Sequence, residues 1–350
     1  MRASFGNEHT LPDRRPGVTP NGGFSPDSRH GSPTLHSVQS AILAGVDPTD
    51  AERLASVPSL ASASRVMPLP GGITNRNYRV DLPTGSVVVR LSDPESSDLA
   101  IDRHHEYLNT LAAASSGAGA PVVDYRENAG VLIVGWIEGR TFSSADVADP
   151  ANLSRIAAAC RQLHAGPRFA SAFDMFVIQA RYRSLVSQRG YRLPDRYDEF
   201  APMVERMRLA MAAHPEPTVP CNNDLLAANF IDDGQRLWLI DYEYSGNNEA
   251  SFELGNIWSE STLPAELLDP LVEAYWGRIT PDLVARARLW ALMSQYGWML
   301  WAAIQEAISP IDFDYWSWGL EKYERAVLAF DGTAFEGWLD SVGGGGAGRP

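Results

Sequence analysis

The stretch CNNDLLAANFIDDGQRLWLIDYEY, residues 221–244, constrains this chain more than any other. Asp224 and Asn229 sit five apart around a loop of small residues. A short strand pattern follows, then a turn at Asp233-Gly234, then a second apolar strand pattern ending on Asp241. A carboxylate and an amide in one tight loop, with a second carboxylate delivered beside it by a hairpin, suit phosphoryl transfer to a hydroxyl. One carboxylate accepts the hydroxyl proton. The amide oxygen and the other carboxylate hold Mg²⁺ against the nucleotide phosphates, and oxygen-only ligands suit that ion. On this reading Asp224 is the base, Asn229 a metal ligand and Asp241 the main metal ligand. An Asp–Asn turn ahead of an ordinary hairpin has the same pattern, so the upstream chain has to decide.

Upstream, PGGITNRNYRV (70–80) puts Gly71-Gly72 between two strand patterns, with Thr74 and Asn75 after them. A glycine-rich hairpin tip can bring backbone N–H groups against phosphates, although Gly-Gly is also plain turn chemistry. VVVRL places Arg90 on the next strand. A charge in such a run ordinarily faces solvent. A guanidinium there can also grip two phosphates, and Glu106 on the following helix can pair with it. The order of these parts is that of kinases: glycine loop, strand cation, helix glutamate, hinge strand, Asp/Asn loop, metal aspartate.

The rest of the chain gives an α+β fold in two lobes. The strand patterns SRVMPLP, NYRVDLP, SVVVRL, PVVDY and VLIVGWI surround one helix, IDRHHEYLNTLAAAS (101–115), with Ile101, Leu108 and Leu111 on one side. Thr49 and Glu52 form a capping box for a short earlier helix. From about residue 150 the pattern is mostly helical. The expected divisions are a disordered arm at 1–35, a nucleotide-binding lobe at 36–138, a catalytic and acceptor lobe at 139–335 and a flexible tail at 336–350. The length of 350 residues, 45% of them hydrophobic, is enough for two lobes. A net charge of −14 argues against a nucleic-acid partner. Two cysteines, Cys160 and Cys221, offer no disulfide framework and no zinc spacing. No apolar run is long enough to span a bilayer, so a cytoplasmic protein is expected. His104, His105 and His164 read as structural, His164 in the last turn of a helix. Lys322 is the only lysine.

GGITNRNY, VVVRL, CNNDLLAANFI, IDYEYSGNNEASFELGNIWSE and WMLWAAIQ…IDFDY together resemble the choline/ethanolamine kinase family, within the aminoglycoside-phosphotransferase-like group. The likeness spans about residues 65–330. Asn223 before Asp224, the IDYEY segment and an arginine as the strand cation mark that family in particular. The resemblance implies a protein-kinase-like fold, with a small antiparallel sheet and one main helix ahead of a larger helical lobe. It implies ATP and Mg²⁺ as cofactors, Gly135 and Ile137 as backbone contacts to adenine, and choline or a related amino alcohol as acceptor. Trp298, Trp301 and Trp318 match positions of an aromatic cage, which can hold a quaternary ammonium. Glu243, Tyr244 and Glu260 match residues flanking the acceptor or the metal. Gln305 shares the helix face of Trp298 and Trp301, and Tyr315 that of Trp318. A well-packed helix pair has the same aromatic spacing. Asn222 stands where the family usually has a histidine that braces the catalytic loop. The alternatives are a kinase for ethanolamine, thiamine or another amine-bearing alcohol, and a ligand-binding pseudokinase. Oligomeric state is left open.

Overall fold

A computed structural model describes residues 42, 43, 45–70, 72, 74–92, 99 and 101–344. The arm expected at 1–35, and Gly71, lie outside the described residues.

Five strands, β1 (Arg65–Leu69), β2 (Arg76–Leu82), β3 (Gly85–Leu91), β4 (Val122–Arg126) and β5 (Val131–Gly135), form one antiparallel sheet in the order β1-β2-β3-β5-β4. Side chains alternate across it. Tyr78, Val80, Val87, Val89, Leu91, Val131 and Ile133 turn to one face and pack on Leu54, Val57 and Leu60. Val88 and Arg90, of opposite parity, therefore point to the other face, which roofs a cleft.

Helix α1 (Pro48–Ala55) packs on this sheet. The expected cap at Thr49 is corrected. Asp47 is the N-cap, and its carboxylate accepts from the amides of Thr49 and Asp50. Pro48 needs no partner for a missing N–H, so the helix starts there and the cap moves back. Helix α2 (Arg103–Ser116) joins β3 to β4 and also corrects the sequence reading. Ile101 precedes it, Leu111 is exposed, and the buried positions are Glu106, Asn109, Thr110 and Ala113. The helix turns a polar face inward because it borders the cleft. There Asn109 reaches the Ser245 carbonyl at 3.0 Å and the Ala170 amide at 2.8 Å, satisfying the buried groups.

After β5 the chain crosses into a second lobe. There β6 (Arg140–Thr141) pairs with β8 (Phe230–Asp232), which pairs with β9 (Leu237–Leu239); β7 (Thr218–Cys221) pairs with β10 (Gly246–Glu249). The helices are α3 (Ser144–Val147), α4 (Pro150–His164), α5 (Met175–Arg189), α6 (Ala201–Ala213), α7 (Ala250–Glu260), α8 (Leu268–Trp276), α9 (Pro281–Ile308), α10 (Tyr315–Phe330) and α11 (Ala334–Gly344). Every residue of α9 from Leu289 to Gln305 is buried, as expected of a helix apolar on all sides. Helices α5, α7, α10 and α11 surround it. Helix α11 carries buried Leu339 and Val342, so the tail expected from residue 336 is helical as far as Gly344. Two glycines set the spacing around α9. A Cβ on Gly255 of α7 would lie 2.3 Å from the Ala287 carbonyl, and one on Gly319 of α10 would lie 2.4 Å from the Ala302 Cβ.

Candidate active site

The loop after β7 is held from three sides. Glu253 of α7 accepts the amides of Asn222 and Asn223, each at 2.8 Å. Asn223 has φ +66°, a left-handed conformation that asparagine tolerates. Its side chain donates to the Cys221 and Tyr244 carbonyls and accepts from Asn248. Asn222 is fully buried. It donates to the carbonyls of Ile240 (3.1 Å) and Asp241 (2.8 Å) and accepts from the Asp224 amide (3.1 Å). One side chain thus ties the Asp224 loop to the strand end that carries Asp241. Asp241 also has positive φ, +65°. Asn229, at the end of a single 3₁₀ turn, donates to the Asp224 carbonyl at 2.7 Å, so its amide oxygen is the atom it can offer to a metal ion. The local fold therefore brings Asn229 and Asp241 to one side of the cleft, with Asp224 joined to Asn229.

Arg90 crosses from the roof to meet them. Its Nη1 lies 2.7 Å from Glu106 Oε1 and 2.7 Å from Asp241 Oδ1. Burial disfavours its charge, but Asp241 and Glu106 outweigh that and hold Arg90 above its ordinary value. A second arginine, Arg103, was not singled out in the sequence. Its Nη1 lies 2.7 Å from Glu106 Oε2 and 3.2 Å from Glu243 Oε2, and Nη2 donates to Asn75 Oδ1 at 3.0 Å. Asn75 in turn donates to Glu243 at 2.7 Å. So the side chain of Asn75, expected beside phosphate, is bound across the cleft to Glu243. Thr74 lies next to it, half-buried. Burial, then the Asp241 carboxylate, pushes Glu243 up. Asp224 is pushed well above the ordinary carboxylate range by burial, then by Glu260, Asp241 and Glu243; Lys322 pulls the other way.

Between the lobes lies a cavity of about 350 Å³. Val88, Leu132 and Val134 line it from the sheet; Ile231 and Leu239 line it from below; Arg90, Asn229 and Asp241 are among its polar groups. Apolar jaws with a few convergent polar groups suit a flat base joined to a charged group. Gly72, Gly135 and Ile137 also border it. The Gly135 amide already donates to the Pro121 carbonyl at 2.8 Å, so its own N–H is spent inside the lobe.

The aromatic residues expected around an acceptor form one continuous cluster. Trp301 donates from Nε1 to the Tyr244 hydroxyl at 2.6 Å. Ring centroids lie 5.0 Å apart for Tyr244 and Trp298, 5.8 Å for Trp301 and Tyr315, and 5.3 Å for Trp301 and Trp318. Gln305 is buried one turn further along α9. Glu260, the last residue of α7, meets Lys322 Nζ at 2.5 Å, and that ammonium lies 4.2 Å from the centroid of the Trp318 ring. The sequence offered one signal for Lys322, its being the only lysine, four residues after Trp318. His164 closes α4, and its Nδ1 is 2.7 Å from the Tyr275 hydroxyl. Behind the loop, His164 Nε2 is 3.6 Å from Cys221 Sγ, which with Glu253 makes a buried group spaced to hold a metal ion.

The choline/ethanolamine kinase model matches residues 66–274, from β1 into α8 and through Asp224, Asn229, Asp241 and Glu260. The chain belongs to the choline/ethanolamine kinase family. It is 27% identical over 301 residues to a probable ethanolamine kinase of Arabidopsis thaliana, covering 76% of this chain and 79% of that one. It is 26% identical over 305 residues to probable choline kinase 2 of the same organism, covering 77% and 86%. Among solved structures it is similar to a choline/ethanolamine kinase family protein from Mesorhizobium loti, with TM-score 0.74, 29% identity and coverage of 85% and 99%. The likeness to an aminoglycoside phosphotransferase, TM-score 0.57 at 17% identity with coverage of 86% and 99%, is one of fold. The architecture is thus the two-lobe protein-kinase-like fold, and the chain is a phosphotransferase. Among the described residues no helix is long and apolar enough to cross a membrane.

Proposed function

We propose that this kinase transfers the γ-phosphate of ATP to the hydroxyl of choline or a closely related amino alcohol. The observation that carries the reading is the contiguity of Asp224, the enclosed side chain of Glu260 and the cluster of Tyr244, Trp298, Trp301 and Trp318. Aromatic faces with a nearby carboxylate are the means by which a cation lacking N–H donors is held.

The donor set fits a magnesium ion. Asp241 and Asn229 offer hard oxygen atoms, and in this structure a cationic group, Arg90, already lies against the Asp241 carboxylate. Mg²⁺ held by Asp241 and Asn229 would offset the charge of the nucleotide phosphates. Arg90 turns from Asp241 to the phosphates while keeping its ion pair with Glu106, whose other oxygen Arg103 holds. Val88, Leu132, Val134, Ile231 and Leu239 enclose the adenine and exclude water. Asp224 orients the acceptor hydroxyl and takes its proton. The elevation of its carboxyl is relieved as cations enter beside it, and the ionised form is the one that accepts.

Ethanolamine is the second reading. Glu260 Oε1 is buried with no hydrogen-bond partner among the described residues and is suited to accept from a primary ammonium. A panel of choline, ethanolamine and other amino alcohols, assayed with ATP and Mg²⁺, separates the two. Asp224→Asn should lose about 10²–10⁴-fold in turnover and still bind ATP. Near wild-type turnover in that variant would remove Asp224 from the mechanism, and no turnover with any amino alcohol would end the proposal.

A further inference from the structure

The acceptor end of this site already contains a cation. Lys322 Nζ makes a 2.5 Å ion pair with Glu260 and sits 4.2 Å over the Trp318 ring. Both side chains of the pair are almost completely enclosed, at 4% and 3% exposure. An aromatic face and a buried carboxylate are also what an acceptor ammonium requires. Two cations cannot share that face and that carboxylate at low cost, because like charges a few ångströms apart away from water repel strongly.

We propose that Lys322 is a specificity-determining residue, an internal ammonium that competes with the acceptor's ammonium for Glu260 and the face of Trp318. The inference rests on the reading of this pocket as the amino-alcohol site. A quaternary acceptor must displace Lys322, whose flexible four-carbon stem permits it, and the lost pair subtracts from its affinity. An acceptor able to donate to Glu260 while Lys322 remains is penalised less than a trimethylammonium. Lys322 thereby tilts the pocket towards smaller, less methylated amines. Gly319, packed against Ala302, fixes the register of α10 and so keeps Trp318 and Lys322 at this end of the cluster.

The test uses tetramethylammonium, which has a quaternary ammonium and no hydroxyl, so its binding does not depend on turnover. Calorimetric titration should show Lys322→Met binding it about tenfold tighter than wild type, with Lys322→Arg behaving as wild type. The choline KM of Lys322→Met should fall by a similar factor, with a smaller change in kcat. Lys322→Gln, neutral and able to donate to Glu260, is the second variant and should shift binding in the same direction. Tighter tetramethylammonium binding without choline turnover would uphold the inference and remove choline as the acceptor. Equal or weaker binding by the folded neutral variants, or no binding by any form, would overturn it.

Discussion

The side chain with the most leverage on this site touches no reactant. Asn222, itself fully buried, makes three hydrogen bonds with half-buried neighbours, two to the carbonyls of Ile240 and Asp241 and one from the Asp224 amide. Asn222→Ala removes all three and leaves those half-buried groups without this side-chain partner. A buried hydrogen bond contributes about 0.5–1.5 kcal/mol net, and an orphaned buried group costs about 1–3 kcal/mol. Some relaxation or an entering water recovers part of this, so we predict a loss of about 2–4 kcal/mol. That is a large share of the roughly 5–15 kcal/mol of a typical domain, yet leaves the variant folded at low temperature. The same bonds set the distance between the Asp224 loop and Asp241. A misplacement of about 1 Å in a reacting geometry costs on the order of 10²-fold. Urea denaturation gives the first quantity, and steady-state kinetics well below the melting transition give the second. Asn222→His, which restores the residue usual in the family, should lose less in both. If Asn222→Ala kept its stability within about 0.5 kcal/mol and its kcat within threefold, the coupling of the two aspartates through Asn222 would be refuted.

Three further outcomes are expected. Asp241→Ala should weaken magnesium-dependent ATP binding more than Asn229→Ala does, because a charged ligand contributes more to a hard cation than a neutral amide; titrating both variants with Mg·ATP checks the ranking. Trp301→Ala should raise the choline KM by about tenfold and disturb ATP much less, since it removes one face of the cluster and the Tyr244 hydrogen bond; an unchanged KM would make the tryptophan ordinary core. Asp50, fully enclosed, accepts Arg76 Nε (2.6 Å), Arg76 Nη2 (2.7 Å) and the Tyr78 hydroxyl (2.6 Å). Asp50→Ala should cost about 2–4 kcal/mol, below the upper range for a broken buried pair because Arg76 keeps access to water. Burial opposes the ionisation of Asp50, but the Arg76 and Tyr78 bonds outweigh it and hold the carboxyl below its ordinary value. Its contribution is therefore present above its unfolded value and is lost as pH falls through the lower folded one. Acid melting curves of wild type and Asp50→Asn should converge there.

The sequence by itself determined the parts whose geometry is local. Asp224, Asn229 and Asp241 lie in a loop and hairpin of about twenty residues, where spacing alone limits how far apart they can finish. The strand and helix patterns gave two lobes for the same reason, because each period reports its own segment. Position along the strand could not say which face of β3 Arg90 takes, since the sheet is covered on both sides; its parity with Val88 and the cleft decided that. Helix α2 defeated the apolar pattern because its inner face meets a polar site, so Glu106 and Asn109 are buried while Leu111 is not. Arg103 with Glu243, and Lys322 with Glu260, are pairs separated by 140 and 62 residues. No local rule brings such groups together. For Lys322 and Glu260, the close packing of α10 and α7 on the buried α9 does, at Gly319 and Gly255; for Arg103 and Glu243, it is the meeting of α2 with the segment between β9 and β10.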